Sequence, residues 1–427
     1  MMTKEKNYAN EIVQLAALIG TGLLTNGAET YRAEDSMESI LASYSDCISN
    51  VQVFAITHYL TISADDREGD TVVITRNIRN AETNLNKVEL LNNITRKICQ
   101  EAPDPAEAKK EVNEILEASR YPQPIYAAAV ALTGFSFTLL LGASLVPALW
   151  AAVASTLLMF VVKPIQRLGG NRIFINIIRG ILIYLMVFPV LFTEYSAQLH
   201  LMIAGSFMFL FPGIMLVNSI RDLIASDYLA GLVKIIETIL AASALAVGTG
   251  IASAIMGFIF NAGQSSLEPL NYINPNNPIS FLIATASVFA FMVIFDLRRL
   301  SLFVGSVGGG ISWLIYAMTN DLEKFNYTLP ILLAIIFLAT YAEIMARLTK
   351  KPATVYLTAG LYPLVPGYDI YRTMMYFLSG QNNEFISSFM RTLMITGTLA
   401  LGIMLVSSIP KLLYNHQRID KENIISR

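Results

Sequence analysis

Hydrophobic and polar positions divide this chain into two parts. From about residue 12 to residue 119, apolar positions recur with helical or alternating spacing among many charged residues. From residue 125 onward, the chain passes through a series of long, nearly uncharged apolar stretches. A helix needs about 20 apolar residues to cross a bilayer. The pattern therefore predicts a soluble amino-terminal part followed by a polytopic, all-α membrane part.

The soluble part is predicted to be a small α+β domain. Its periodicity predicts two helices, two strands and two helices, near 12–23, 29–44, 51–57, 71–75, 84–100 and 105–119. Gly27 can end the first helix, and a charged turn at 65–69 can join the two strands. Glu29 and Arg32 have the spacing of an ion pair along the second helix. The run Tyr121-Pro-Gln-Pro124 predicts a stiff connection to the membrane part.

The apolar stretches predict ten membrane spans, of which the fourth and the ninth are broken. They cover about 125–145, 146–162, 172–192, 198–225, 229–260, 279–296, 300–319, 328–347, 353–378 and 385–409. The resulting domains are 1–120 (cytosolic), 121–260 (first membrane repeat), 261–278 (extracytoplasmic linker), 279–410 (second membrane repeat) and 411–427 (cytosolic tail).

Charge supports this division. Residues 1–120 hold 12 Lys and Arg and 19 Asp and Glu, half of all charges in the chain, although the mean hydropathy of the whole is +0.52. One set of alternate loops carries ten cationic residues, whereas the other carries only Lys324 and Arg391. Cytoplasmic loops are rich in Lys and Arg. We therefore expect a multi-pass protein of the cytoplasmic membrane with both termini in the cytoplasm.

The two membrane halves repeat each other at an offset of 154 residues. Pro212-Gly213 aligns with Pro366-Gly367, and the same offset aligns Phe137 with Phe291, without a gap. Each half holds five predicted spans. Because five is odd, the second half starts on the opposite side of the membrane and has inverted topology. The sequence therefore predicts two inverted five-helix repeats, an architecture typical of secondary transporters.

The paired Pro-Gly motifs are the first candidates for a binding site. Both residues free backbone polar groups inside a span, and these groups need protein or a water-filled cavity as a partner. A half-helix that starts after the break points its positive end into that cavity and favours a carboxylate. A simple proline kink is the alternative, and the symmetric repetition favours a site.

Ionisable and polar residues follow each break. Asn218, Arg221 and Asp222 follow the first, and Asp369, Tyr371 and Arg372 follow the second. Arginine binds carboxylates in a two-pronged geometry, and charged groups within spans are usually functional. Arg221 with Asp222 as a surface pair at the end of the fourth span is the alternative. The sequence predicts that these residues bind substrate together with the Pro-Gly motifs.

Three acidic residues are candidates for proton coupling. They are Asp222, Asp369 and Glu237. For Glu237, an interfacial pair with Lys234 is an equally good interpretation. Asp296 with Arg298, and Glu343 with Arg347, are predicted to be surface pairs.

Other chemistry is not indicated. We expect no cofactor, no metal site and no nucleic-acid partner, because the three histidines are scattered and no Cys-x-x-Cys or phosphate-binding glycine loop occurs. Cys47 and Cys99 are expected to be reduced. The expected partners are a small amino acid or carboxylate, protons and the lipid bilayer, and a homo-oligomer is left open.

At these motifs the chain resembles the threonine/serine exporter family. The resemblance rests on Gly22-Leu-Leu24 with Gly27-Ala-Glu-Thr30, Arg32 and Glu34, on Pro212-Gly213 with Asn218, Asp222 and Gly231, and on Val365-Pro-Gly367. It implies ten spans, a cytosolic amino-terminal domain, and export of threonine and serine driven by the proton gradient. In some relatives the halves are separate chains, and some of those are linked to succinate export.

We therefore predict a secondary active exporter of small amino acids that works by proton antiport and alternating access, and that is not an enzyme. Two alternatives share its membrane part: an exporter of small dicarboxylates such as succinate, and a passive channel. A membrane-anchored enzyme or sensor with its chemistry in residues 1–120 is a third alternative.

Overall fold

The computed structural model describes residues 2–78, 82–167, 171–224, 226–260, 278–298, 300–319 and 328–425, which form two compact units. Unit 1 comprises Met1–Tyr121, Ala225–Val233 and Phe295–Arg298, and unit 2 comprises Pro122–Ile224, Lys234–Ile294 and Arg299–Arg427. The predicted linker 261–278 lies outside the described residues except for its last one, and so does Lys324.

Unit 1 contains four helices and a three-stranded antiparallel sheet. In chain order these are α1 (Met2–Thr25), α2 (Thr30–Ala42), β1 (Ile48–Ile56), β2 (Tyr59–Asp66), β3 (Thr71–Asn77), α3 (Leu85–Glu101) and α4 (Pro105–Glu117). The sheet has the order β1-β2-β3. The prediction of two strands is wrong, because the segment between them also forms a strand, β2. Ile56 pairs with Tyr59, so β1 and β2 are joined by Thr57 and His58, which carry no turn signal.

The helix ends of unit 1 follow from local chemistry. α1 stops before Gly27, whose φ of +89° is a left-handed conformation that side chains other than glycine rarely adopt. The side chains of Asn84 and Asp104 accept hydrogen bonds from the first backbone amides of α3 and α4. Arg32 Nε lies 3.1 Å from Glu29 Oε2, as the spacing predicts. A continuous apolar core then packs the four helices on the sheet.

Asp296 is buried within unit 1 and holds a short loop segment in place. Its carboxylate accepts hydrogen bonds from Asn84 Nδ2 at 3.2 Å and from the Tyr121 backbone amide at 3.0 Å, and it lies 3.4 Å from Arg298 Nη2. The sequence predicted Asp296 and Arg298 as a pair at the surface. The two side chains do pair, but the surface position is wrong, because Asp296 is only 3% exposed. The sequence missed it because its partners are about 175–212 residues away.

Glu34 gives unit 1 a pH dependence. It accepts a hydrogen bond from the Ala55 amide at 2.7 Å, but burial raises the pKa of its carboxyl above 4.5, with further raising by nearby Asp227. An acid whose folded-state pKa is raised stabilises the fold fully below its unfolded pKa, and that stability is lost as the pH rises through the folded pKa. Glu34→Gln keeps an acceptor oxygen but cannot ionise, so its apparent melting temperature should exceed that of the original protein increasingly from pH 4.5 towards pH 8.

Differential scanning calorimetry of the purified protein can measure this over the whole pH range. Glu38→Gln is the matched control, since Glu38 is an exposed acid on the same helix. If the difference in melting temperature between Glu34→Gln and the original protein were the same at every pH, Glu34 would not be the source of the pH dependence.

Unit 2 is helical throughout its described residues. Its first six helices are α5 (Gln123–Leu140), α6 (Leu145–Arg167), α7 (Arg172–Val187), α8 (Leu199–Phe207), α9 (Gly213–Ile224) and α10 (Tyr228–Phe260), the last beginning in unit 1. The others are α11 (Pro278–Ile294), α12 (Leu300–Thr319), α13 (Leu329–Thr349), α14 (Ala353–Gly360), α15 (Gly367–Leu378) and α16 (Asn382–Ile425).

Seven of the described helices are long and apolar enough to cross a membrane, and a bent pair brings the number to eight. The bent pair lies in the fourth predicted span, where Ser196–Leu210 and Met215–Ile224 meet at 63°. Two predicted spans fall short of the criterion. α11 has only 17 residues, and the segment 353–378 is divided into α14, a 3-10 turn and α15. This part of the chain is thus a polytopic helical membrane structure, and a count of ten remains a prediction.

Helix boundaries recur at the offset found in the sequence. The one-turn 3-10 helices Met208–Leu210 and Tyr362–Leu364 lie 154 residues apart, and so do both ends of α9 and α15. In each copy the break follows an extended residue, Phe211 or Val365. The Pro-Gly motifs therefore interrupt the helices at equivalent positions.

Candidate functional site

The two Pro-Gly breaks lie against each other inside unit 2. A Cβ atom built on Gly213 would overlap the side chain of Val365, and one built on Gly367 would lie 2.8 Å from Met208 Cε and 3.7 Å from Phe211. Phe211 and Val365 are equivalent at the 154-residue offset, so the contacts are reciprocal. Reciprocal contacts of this kind arise around a two-fold axis. Phe137 and Phe291, also equivalent, pack edge to face with centroids 5.5 Å apart.

Each break begins a helix whose first amides have no helical partner. The first intrahelical hydrogen bond of α15 runs from the Ile370 amide to the Pro366 carbonyl at 3.0 Å, and that of α9 from the Leu216 amide to the Pro212 carbonyl at 3.2 Å. The amides before these bonds are the positive end of the helix dipole. In α15 they belong to the first turn, which includes Asp369, and Arg372 lies in the next turn.

Asp369 lies between two arginines. Its Oδ1 atom is 3.0 Å from Arg372 Nη2 and 3.6 Å from Arg391 Nε. Asp369 is 2% exposed, whereas the Arg372 and Arg391 side chains keep 17% and 24% exposure. We call these three residues the arginine–aspartate cluster. It carries one excess positive charge and joins α15 to α16, and Arg372 also lies over the Tyr368 ring at 5.7 Å.

Arg372 has a buried hydrogen-bond donor without an acceptor in the part of the chain that the structure describes. The Nε atom of Arg372 is buried there without a partner. A buried donor without an acceptor costs about 1–3 kcal/mol. The arrangement therefore favours a ligand that brings an acceptor, and a carboxylate matches the arginine fork.

The first half forms its ion pair at a different position. Lys234 Nζ, on α10, lies 2.6 Å from Asp222 Oδ2, on α9, and both side chains are buried. Arg221 is half-buried and donates to Asn218 Oδ1 at 3.4 Å. The predicted alternatives placed Asp222 with Arg221 at the surface and Lys234 with Glu237. The structure shows a bond from Lys234 to Asp222, and Glu237 is half-buried on α10.

The structure brings the predicted residues together only in part. Gly213 lies against Val365 and Gly367 lies near Phe211, so each break faces a residue that flanks the other, and Asp369 and Arg372 form an ion pair. Arg391 was counted with the cation-poor side of the membrane and also falls in the tenth predicted span, and the structure places it within α16 beside Asp369.

Arg179 was missed altogether. It is half-buried in α7, and its Nη1 donates to Asn176 Oδ1 at 2.7 Å. An arginine inside a predicted apolar span was the signal that could have found it. Among the described residues, no three His, Cys, Asp or Glu side chains gather as a metal site would need.

Comparisons with known proteins agree with the motifs. Residues 14–256 match the ThrE family model, described as "Putative threonine/serine exporter". Residues 280–409 match a second model, described as "Threonine/Serine exporter, ThrE". The first match alone covers more than half of the chain.

Two curated relatives are similar over most of their length. A threonine/serine exporter of Corynebacterium glutamicum is 22% identical over 417 residues, covering 92% of this chain and 81% of the relative. A probable threonine/serine exporter of Mycobacterium tuberculosis is 21% identical over 382 residues, covering 87% and 70%. No solved structure matches. The motifs, the helical membrane structure and both family models together show that this chain belongs to the threonine/serine exporter (ThrE) family.

Proposed function

We propose that this chain exports threonine and serine across the cytoplasmic membrane by proton antiport. Membership of an amino-acid exporter family supports the substrate class, and the apolar helices support a multi-pass membrane protein. The names of both curated relatives support threonine and serine in particular.

The proposed mechanism is alternating access between two inverted five-helix repeats, with ten spans and both termini in the cytoplasm. Equal helix boundaries at a 154-residue offset support the repeats. The reciprocal contacts of Gly213 with Val365 and of Gly367 with Phe211 support a two-fold relationship between them. Two inverted copies can exchange conformations, which opens one central site to each side in turn.

The substrate carboxylate is proposed to bind Arg372 and Arg391, next to the amino-terminal amides of α15. The single observation that carries this proposal is the buried Arg372 Nε donor without an acceptor among the described residues, in a cluster with one excess positive charge. Partial exposure of both guanidinium groups allows a ligand to reach them. Pro212, Gly213, Asn218 and Arg221 are proposed to line the opposite side of the same site.

Asp369 is proposed to receive the substrate ammonium. Both arginines contact its Oδ1 atom, so Oδ2 is the oxygen proposed for this contact. A zwitterionic amino acid can place its carboxylate at the two arginines and its ammonium at Asp369. The second carboxylate of succinate would instead be repelled by Asp369. This argument favours amino acids over the dicarboxylate alternative. Of the carboxylates predicted for proton coupling, Asp222 and Asp369 each pair with a cationic side chain that protonation would leave behind, and Glu237 is half-buried on α10.

An efflux panel tests the proposed function. Liposomes containing the full chain are loaded with radiolabelled threonine, serine or succinate, and the outside is made acidic. We expect saturable efflux of threonine and serine that the proton gradient accelerates, and slower efflux of succinate. Faster succinate efflux would support the dicarboxylate alternative, and efflux that neither saturates nor responds to the gradient would support a channel.

The inverted topology has its own test. A reactive tag near Asn276, in the predicted linker, should be labelled only from outside the cell by a reagent that does not cross membranes. Labelling from the cytosol alone would mean that the halves are not inverted, and alternating access by exchange of the two repeats would have to be abandoned.

A further inference from the structure

A buried histidine joins the two halves of unit 2. His200, on α8, places its Nδ1 atom 3.0 Å from the hydroxyl oxygen of Tyr371, on α15. His200 is 6% exposed and Tyr371 is 1% exposed. Histidine titrates closest to neutral pH of all side chains, and a titratable group inside a membrane protein is usually functional. The sequence had set this residue aside as one of three scattered histidines.

The position of this contact relates it to both breaks. α8 leads into the first Pro-Gly motif, while Tyr371 lies on the helix that follows the second. Tyr371 directly precedes Arg372 and follows Asp369 by two residues, so it shares the first turns of α15 with the arginine–aspartate cluster. Its ring also packs edge to face on Phe207 of α8, with centroids 5.3 Å apart. His200 and its neighbour Phe207 therefore both contact the helix that carries the proposed substrate ligands.

We infer that His200 is the residue that takes up the coupling proton, and that Tyr371 passes its protonation state to α15. This inference rests on the proposed proton antiport. In the deprotonated state, the Tyr371 hydroxyl donates to Nδ1 of His200. Imidazolium has a proton on both nitrogens and no acceptor, so Tyr371 must then accept from Nδ1–H and turn its own proton elsewhere.

The proton balance is simple. One proton from the acidic outer side binds the imidazole, and the same proton leaves to the cytoplasm after the site has turned. One threonine molecule moves outward in the same cycle. No bond other than N–H forms or breaks, and no further reactant is required.

The other ionisable groups near α8 are less suited to this task. The helices that pack against α8 carry the charged residues Lys163, Arg167, Arg172, Arg179, Asp369 and Arg372. Among these only Asp369 is an acid, and its protonation would remove the partner of two arginines. Asp222, on α9, would likewise leave Lys234 behind, and a buried charge without its partner is costly. The tyrosines on these helices, Tyr126, Tyr184, Tyr368 and Tyr376, have a side-chain type that titrates near pH 10.

Two transport modes separate proton coupling from substrate binding. Exchange of labelled internal threonine for unlabelled external threonine at equal pH requires no net proton movement. Efflux stimulated by an outward-acidic gradient requires it. We expect His200→Gln to lose the stimulation by the gradient and to keep exchange, because glutamine can bond to Tyr371 but cannot titrate. His58→Gln, the same change in unit 1, is the matched control and should keep both modes.

Tyr371→Phe is a second, independent variant, so the inference can still be tested if His200→Gln does not fold. It should keep threonine exchange but lose most of the stimulation by the gradient, because phenylalanine cannot respond to the protonation state of His200. The remaining stimulation should have its pH midpoint shifted by about one unit towards acid, since the lost charge-assisted bond from imidazolium is stronger than the lost bond to neutral imidazole. Full stimulation in His200→Gln, or an unchanged pH profile in Tyr371→Phe, would overturn the inference. Absence of threonine exchange in the original protein would instead reject the proposed function.

Discussion

Replacing either Arg372 or Arg391 by glutamine is expected to lower threonine efflux by roughly 30-fold or more. Removal of one partner from a buried, hydrogen-bonded charge pair costs about 2–5 kcal/mol. Each variant removes part of the proposed carboxylate fork and also weakens the contacts of Asp369 Oδ1. The effect should appear as a fall in kcat/KM in liposomes that contain equal amounts of folded protein.

The matched control is Arg347→Gln, which makes the same change at an exposed position on α13. A conservative variant sharpens the test. Arg391→Lys keeps the charge but loses the two-pronged geometry, so its efflux should lie between those of Arg391→Gln and the original protein. Efflux at the original level in both Arg372→Gln and Arg391→Gln would remove the arginine–aspartate cluster from the proposed site.

Replacing Asp369 by asparagine is expected to change the substrate that the arginine–aspartate cluster prefers. Asp369→Asn leaves two arginines around a neutral amide, so the cluster then has two excess positive charges. A carboxylate should still bind, while an ammonium has lost its acceptor. We therefore expect this variant to favour succinate over threonine in the efflux panel, relative to the original protein.

The sequence predicted the features that depend on local chemistry. The Pro-Gly motifs marked the starts of α9 and α15, because proline and glycine disfavour a continued helix whatever surrounds them. Apolar periodicity likewise predicted the helices of unit 1. The strand β2 was missed since its turn at Thr57 and His58 uses residues without turn preference, and tertiary pairing with β1 and β3 decides its conformation.

The candidate site was predictable only where it depends on residues that are close together in the sequence. Asp369 and Arg372 are three residues apart on one helix, so the sequence placed both after the second break, and their spacing is that of an ion pair along a helix. The contacts of Arg391 with Asp369 and of His200 with Tyr371 join different helices. Such pairs depend on how the helices pack, and the 154-residue offset did not reveal them, because the residues equivalent to Asp369 and Arg391 are Met215 and Glu237.

Replacing Gly213 by alanine is expected to abolish most efflux without preventing membrane insertion. The added Cβ would overlap Val365 at the point where the two breaks touch. Overpacking of a well-filled site costs about 1–3 kcal/mol, and here the strain falls on the surface along which the repeats are proposed to move. Gly397→Ala is the control, since a Cβ there would have no atom within 4 Å.

A second substitution distinguishes lost space from lost flexibility. Val365→Ala removes the atoms that the new Cβ would meet, so Gly213→Ala with Val365→Ala should recover efflux. Gly367→Ala should be milder than Gly213→Ala, because its nearest contact is the end of the flexible Met208 side chain. If the double variant stays inactive while each protein inserts normally, the glycine is needed for its backbone conformation, and close contact between the breaks does not explain the repeated Pro-Gly motif.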